Sequence, residues 1–201
     1  MISHKHKCIF IHIPRTAGSS IEVALQGKDQ WRLEPGTKHL VASTAKKLHK
    51  DYWDEYFKFS FVRNPWDRMV SMSKFPSFYG CAIKNNLLCV KGYINKFSPV
   101  EIDPRSASEK DRSSIPVIQD AVYLNILNEE LDFIGKFENL QQDFNTVCNE
   151  IGIAEQELPR LHKSSHKHHQ HYTEYYDDET REIVAEKYRK DIEYFGYKFG
   201  E

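Results

Sequence analysis

Long apolar runs are missing from this chain of 201 residues. No stretch approaches the roughly 18 apolar residues that a membrane-spanning helix requires. The first apolar stretch, residues 8–13, is too short for the core of a signal peptide and is interrupted by His12 and Pro14. The sequence therefore predicts a cytoplasmic protein without a membrane segment.

Cysteine is also scarce, and the four cysteines form no CxxC pair. No HExxH motif is present either, so we predict no metal site. Free thiols in a reducing compartment are the expectation, although Cys81 and Cys89 are close enough in sequence to close a small loop in an oxidising one.

The chain has no overall excess of positive or negative charge, since it contains 28 basic and 29 acidic residues. This balance argues against a protein that binds nucleic acid or another long polyanion. The two signs are nevertheless separated along the chain. Residues 1–100 carry 16 basic and 7 acidic groups, whereas residues 101–201 carry 12 and 22. A single site for a compact anion in the basic half stays compatible with this pattern.

Short runs rich in β-branched and aromatic residues alternate with amphipathic segments. Strands are predicted at residues 8–13, 56–62 and 131–137, with a further possible strand and turn at 31–36. Helices are predicted at residues 21–25, 44–48, 66–73, 140–150 and 178–194. The alternation predicts an α/β fold with a mostly parallel sheet, formed by residues 1–201 as one domain.

The first strand is followed by a loop of small residues and then by a helix. Gly18 allows close approach of the backbone to a ligand, Arg15 brings a fixed cation, and Ser19 or Ser20 is expected to cap the helix. Backbone amides and a helix N-terminus favour a phosphate at such a turn. The Walker A pattern is absent, so an ordinary connection between strand and helix stays open as the alternative.

The second strand ends at Arg63, where an open α/β sheet binds its ligands. Ser71 lies eight residues further on, two turns along the next helix, and Arg63 and Ser71 are predicted to hold a second phosphate. A surface arginine and a serine on the helix face are the alternatives. Asp67 is expected to pair with Arg63 or Arg68. Glu138, which follows the third predicted strand, is expected to form a structural ion pair, with binding of Arg63 or orientation of another partner as the alternative.

Four segments together resemble sulfotransferase family 2, which includes carbohydrate sulfotransferases and their bacterial relatives. The first two are Ile11–Ile21 (IHIPRTAGSSI) and Phe57–Ser71 (FKFSFVRNPWDRMVS). The others are Asp132–Leu140 (DFIGKFENL), and Tyr175–Val184 (YYDDETREIV) with Phe195 and Tyr197. The resemblance covers most of the chain apart from residues 75–118.

The resemblance implies a P-loop NTPase-like three-layer fold, its central mostly parallel sheet flanked by helices, that binds 3′-phosphoadenosine 5′-phosphosulfate (PAPS). The 5′-phosphosulfate would be held by Pro14, Arg15, Thr16, Ala17, Gly18, Ser19 and Ser20. Arg63 and Ser71 match the family's 3′-phosphate pair. Arg15 stands where the family usually has lysine, and it is predicted to stabilise the leaving group by its charge, since arginine is a poor proton donor.

The implied reaction is in-line transfer of the sulfuryl group to an acceptor hydroxyl, predicted to belong to a carbohydrate. His39 lies between the two phosphate segments, where the family often has a histidine, and it is the candidate base. A surface or capping role is the alternative for His39. His12, on the first strand, is expected to be a buried packing residue.

Two segments have less specific interpretations. Residues 75–118 are expected to be irregular and to form a variable insertion on the acceptor side, with Tyr79, Lys84, Lys91 and Tyr93 available to contact a sugar. Residues 162–171 contain five histidines and are expected to be a solvated basic loop. By family likeness, Lys163, Ser164 and Lys167 there would cover the nucleotide or contact an anionic acceptor.

Two other functions stay open at this point. A P-loop-like nucleotide kinase is disfavoured by the missing Walker lysine. A non-catalytic module that binds nucleotides or sulfated ligands is kept possible by Arg15 in place of lysine.

Overall fold

The computed structural model describes residues 1–73, 81–90, 122–161 and 170–201. Its strands are β1 (Ile2–Ser3), β2 (Cys8–Ile11), β3 (Phe57–Val62), β4 (Cys81–Lys84), β5 (Leu87–Val90) and β6 (Phe133–Lys136). Its helices are α1 (Gly18–Gln26), α2 (Gln30–Leu33), α3 (Ala42–Leu48), α4 (Pro65–Met72), α5 (Tyr123–Ile126), α6 (Leu140–Glu150), α7 (Asp178–Lys187) and α8 (Arg189–Phe195).

The central sheet has the strand order β1-β2-β3-β6. Strands β2, β3 and β6 run parallel, and only β1 is antiparallel to its neighbour. Cys8 aligns with Phe57, and Phe59 aligns with Phe133, so the three parallel strands end at the same edge. This confirms a mixed α/β fold with a mostly parallel central sheet, and it places the candidate site at the carboxyl ends of the strands.

Helices cover both faces of this sheet. On one face, Phe10 and Phe59 pack with Ile21 of α1 and Phe144 of α6. On the other face, Ile9, Ile11 and Val62 pack with residues of α3 and α5. Successive residues of a strand point to opposite faces, so a continuous apolar run such as CIFI fills both cores at once.

The predicted strand at residues 31–36 is wrong. Residues Gln30–Leu33 form α2, and Pro35–Thr37 form a 3-10 turn. The amides of Arg32, Glu34 and Thr37 donate to carbonyls three or four residues earlier, so local turns satisfy the backbone in place of a sheet ladder.

The expectation of irregular structure over 75–118 is wrong for residues 81–90, which form the hairpin of β4 and β5. Asn85 and Asn86 have φ of 48° and 62°, the left-handed pair that a two-residue hairpin turn requires. Cys81 lies opposite Val90, the neighbour of Cys89, so the two cysteines face opposite sides of the hairpin and both are free thiols.

The C-terminal segments close the fold around α4. Trp66 and Met69 of α4 pack with Val184, Tyr188 and the 3-10 turn Tyr172–Tyr175. Trp66 is buried, and its indole N–H donates to the carbonyl oxygen of Arg181. In the described parts of the chain no helix is long and apolar enough to cross a membrane.

Candidate functional site

The turn between β2 and α1 has the backbone of an anion-binding nest. Arg15 and Ala17 both adopt left-handed φ, at 68° and 66°, and α1 begins immediately afterwards at Gly18. Alternation of left-handed and ordinary residues turns successive amide N–H groups toward one side. No side chain caps α1, so the prediction that Ser19 or Ser20 caps it is wrong; both serines lie in its first turn.

Two guanidinium groups of the neighbouring segment hold the carbonyls of this turn. The Nε of Arg68, a fully buried side chain, donates to the carbonyl oxygen of Pro14 at 3.0 Å. Arg63 donates to the carbonyl oxygen of Arg15 at 3.1 Å. These hydrogen bonds hold the carbonyl oxygens on one side of the turn, so its other side presents the amide N–H groups.

The side chains of Arg15, Arg63 and Ser71 meet at the end of the second strand. The Nε of Arg15 donates to the hydroxyl of Ser71 at 3.0 Å. Arg63 pairs with Asp67 at 2.7 Å, which decides the open choice of partner for Asp67, and lies over the ring of Phe137 at 4.0 Å. Two cations and a hydroxyl from separate segments therefore face one place.

Glu138 does not orient Arg63 through a direct contact. One of its carboxylate oxygens accepts from the backbone N–H of Asn64 at 2.6 Å, and the other accepts from the hydroxyl of Tyr197 at 3.3 Å. Asn64 caps α4, because its side chain accepts from the amide of Trp66. Glu138 thus fixes the start of the helix that carries Ser71.

His12 lies under the start of α1 in close contact with Gly18. A Cβ at Gly18 would overlap the imidazole of His12, so only glycine fits there. The Nδ1 of His12 donates to the carboxylate of Glu22 at 2.6 Å. Burial alone would raise the pKa of Glu22, but the contacts with His12 and Lys38 lower it to about 2. The expectation that His12 is buried is confirmed; its hydrogen bond to Glu22 was not foreseen.

His39 is buried next to His12. Its Nδ1 donates to the main-chain oxygen of His12 at 3.1 Å, and the two ring centroids are 4.5 Å apart. Burial, with the nearby His12 and Lys38, lowers the pKa of His39 well below its usual value, so the ring is neutral at neutral pH. A carbonyl only accepts, so Nδ1 carries the proton of the neutral ring and Nε2 is the basic nitrogen.

A cleft of about 550 Å³ runs along these groups. Seven of the residues predicted from sequence line it, namely Arg15, Ala17, Gly18, Ser19, Ser20, Arg63 and Ser71. Three others do not: Pro14, Thr16 and His39. The hydroxyl of Thr16 is turned into the core, where it donates to the carbonyl oxygen of Ile13 at 2.8 Å.

The apolar part of the cleft lining was not foreseen from the sequence. It is built from Phe137 after β6, from the start of α6 and from the segment after that helix: Leu140, Gln141, Leu158, Pro159, Arg160 and Leu161. This part is mainly apolar, with Arg160 as its one cation among the described residues. The only sequence signal for it was the place of Phe137 at the end of the predicted strand 131–137.

Several predicted residues lie outside the described part of the chain: Tyr79, Lys91, Tyr93, His162, Lys163, Ser164, His166, Lys167, His168 and His169. His171 is described, and its ring contacts the hydroxyl of Thr173. Within the described residues, no three His, Cys, Asp or Glu side chains converge on one point as metal ligands would.

Comparison with known proteins gives one match. The model of a family described as the sulfotransferase family matches residues 1–198. Neither the curated proteins nor the solved structures gave a match.

Proposed function

The chain belongs to the sulfotransferase family, and on this premise we propose that it transfers a sulfuryl group from PAPS to a hydroxyl of a carbohydrate acceptor. The observation that supports the proposal best is the convergence of two segments on one cleft. The glycine-containing turn lines the cleft together with Arg63 and Ser71. A nucleotide with anionic groups at both its 5′ and 3′ positions would use both sets of donors.

The lining residues fit such a donor. The amides of the nest and the charge of Arg15 suit the 5′-phosphosulfate. The guanidinium of Arg63 and the hydroxyl of Ser71 suit the 3′-phosphate. The apolar wall around Phe137 and Leu158 suits a purine, and a volume of about 550 Å³ lies within the range of small-ligand sites.

The same premise supports a P-loop NTPase-like, three-layer arrangement for the domain. The parallel strand β2, the turn and α1 follow one another as in that fold, and helices lie on both faces of the sheet. The family match over residues 1–198 supports the prediction of a single domain.

PAPS supplies a sulfuryl group already activated on a phosphate leaving group. The nest amides and the start of α1 stabilise the negative charge that develops on that phosphate. Arg15 adds charge without giving up a proton, because the pKa of a guanidinium lies above ~12. Apolar side chains such as Phe137 and Leu158 line the cleft beside these donors.

We assign the role of base to His39. The ring is neutral and its Nδ1–H is held by the carbonyl of His12, so Nε2 is the basic nitrogen that would accept the proton of the acceptor hydroxyl. His12 itself lines the cleft, so His39 lies one ring from the cleft wall. An acceptor hydroxyl that approaches along His12 would complete this arrangement.

The acceptor side is assigned to the insertion of residues 75–118. Its described hairpin lies against α4, where the thiol of Cys81 contacts the carbonyl oxygen of Met69. The hairpin thus adjoins the helix that carries Ser71. Lys84, at the end of β4, is the described candidate for a contact with a sugar.

The test is an assay with sulfur-labelled PAPS and a panel of carbohydrates and simpler alcohols, combined with thermal unfolding in adenosine 3′,5′-bisphosphate. We expect the bisphosphate to raise the melting temperature and label to appear on at least one carbohydrate. Stabilisation without transfer to any hydroxyl would support the non-catalytic binding module. Stabilisation by ATP and not by the bisphosphate would support the kinase.

A further inference from the structure

A cluster of buried charges lies directly beneath the first turn of α1. The ammonium group of Lys38, only 2% exposed, contacts Glu22 at 3.0 Å and both carboxylate oxygens of Asp29 at 2.6 and 2.7 Å. Glu22 is fully buried. Lys38 and Glu22 are removed from water and the side chain of Asp29 is only 18% exposed, so the cluster carries a large desolvation cost, which only tight mutual pairing offsets. The position of Lys38 is therefore fixed by two carboxylates.

The same ammonium group reaches the cleft through Ser19. Its Nζ lies 3.1 Å from the hydroxyl oxygen of Ser19, a residue that lines the cleft. An ammonium group only donates, so the oxygen of Ser19 accepts this hydrogen bond. The hydroxyl proton of Ser19 is then directed to another acceptor. An anion in the cleft presents such an acceptor, and a hydroxyl polarised by a cation is a stronger donor.

Lys38 also precedes His39 in the chain. Lys38 binds the first turn of α1 through Ser19. His39, the next residue, binds the carbonyl of His12 just after β2. The segment thus bridges the two flanks of the phosphate-binding turn. Lys38 contacts Ser19 directly and precedes His39 in the chain, so we expect a change at Lys38 to affect both the hydroxyl of Ser19 and the ring of His39.

We propose that Lys38 is a positioning residue of the transfer site, which orients the Ser19 hydroxyl toward the 5′-phosphosulfate and fixes the place of His39. The proposal rests on the proposed function. Lys38 itself touches no ligand; it acts through Ser19, with Asp29 and Glu22 as its anchors. The sequence alone gave no signal for it, because its partners lie 9 to 19 residues away without a periodic pattern.

The test is a double-mutant cycle with Lys38→Arg, Ser19→Ala and the double variant, with adenosine 3′,5′-bisphosphate as the probe in calorimetric titrations. Lys38→Arg keeps the charge and changes its geometry. We expect Ser19→Ala to weaken binding roughly tenfold, as for the loss of a charged hydrogen bond. In the wild-type background, Lys38→Arg should weaken bisphosphate binding by roughly fivefold or more. In the Ser19→Ala background, the same substitution should weaken it less than about twofold. Lys50→Arg, at an exposed lysine, is the matched control.

Equal losses from Lys38→Arg in both backgrounds would overturn the proposal, because a purely structural lysine lowers affinity whether or not Ser19 is present. No loss in the wild-type background would overturn it as well. If Lys38→Arg does not fold, Asp29→Asn releases the same ammonium group while Glu22 still pairs with it, and the same coupling to Ser19 is expected. Failure of the wild-type chain to bind the bisphosphate would instead refute the proposed function.

Discussion

Replacement of Arg63 by alanine tests the assignment of the two phosphate positions. Arg63 is largely buried, with 14% of its side chain exposed, and it contacts Asp67, the carbonyl of Arg15 and the ring of Phe137. A hydrogen bond to a charged group contributes about 1.5–3 kcal/mol. We therefore expect Arg63→Ala to weaken the binding of adenosine 3′,5′-bisphosphate by roughly 10- to 150-fold.

Arg63 also supports the turn through its contact with the carbonyl of Arg15. A comparison of two nucleotides separates this structural role from direct binding of the 3′-phosphate. Adenosine 5′-monophosphate lacks the 3′-phosphate, so its affinity should change far less in Arg63→Ala than that of the bisphosphate. Isothermal titration of both nucleotides measures this difference. Arg189→Ala, at an arginine whose side chain is 63% exposed, serves as the control for loss of charge.

Two results would rule out contact between Arg63 and the 3′-phosphate. Unchanged affinity for the bisphosphate would show that Arg63 does not contact the ligand. Equal losses for both nucleotides would show that Arg63 acts through the strained backbone of Arg15, at φ 68°, and not on the 3′-phosphate.

Three further predictions follow from the buried groups near the turn. His39→Ala should leave bisphosphate affinity within about twofold but lower label transfer by about 10²- to 10⁴-fold, the range for a lost general base; unchanged turnover would reject the assignment. Gly18→Ala should destabilise the fold by about 1–3 kcal/mol in urea unfolding, because the new Cβ overlaps His12; a neutral effect would show that His12 moves freely. Burial lowers the pKa of both His12 and His39 in the folded state. Below pH 6.5 the unfolded chain therefore binds protons that the folded chain does not, and stability should fall by up to about 1.4 kcal/mol per pH unit for each histidine. Urea unfolding between pH 7 and pH 5 checks this, and a shallower pH dependence in His39→Ala is expected.

Much of the fold was predictable from local pattern. The strands β2 and β3 are short, continuous apolar runs, and each is followed at once by a turn and a helix with recognisable start signals, such as Pro65 after the cap Asn64. The start of α1 was not predictable in detail. Its cap is the left-handed backbone of Ala17, and the serines that resemble capping residues are used elsewhere.

The candidate site was predictable where one segment supplies several groups, and not where distant segments meet. The turn and the pair Arg63 and Ser71 were foreseen because each forms a compact motif. The apolar wall around Leu158 and the cluster of Lys38, Asp29 and Glu22 depend on tertiary contacts, which leave no periodic trace in the sequence. A compact motif can also mislead. Thr16 was predicted to bind the phosphosulfate, but its hydroxyl points into the core and donates to the carbonyl of Ile13.

We propose that the cleft binds one adenosine nucleotide through anionic groups at both its 5′ and 3′ positions. Adenosine 3′,5′-bisphosphate and adenosine 5′-diphosphate are isomers with the same two phosphates in different places, so their relative affinities measure this geometry directly. We predict that the 3′,5′-bisphosphate binds with one-to-one stoichiometry and at least about tenfold more tightly, the value of one charged hydrogen bond. Equal affinity, or a preference for the 5′-diphosphate, would rule out this mode of binding.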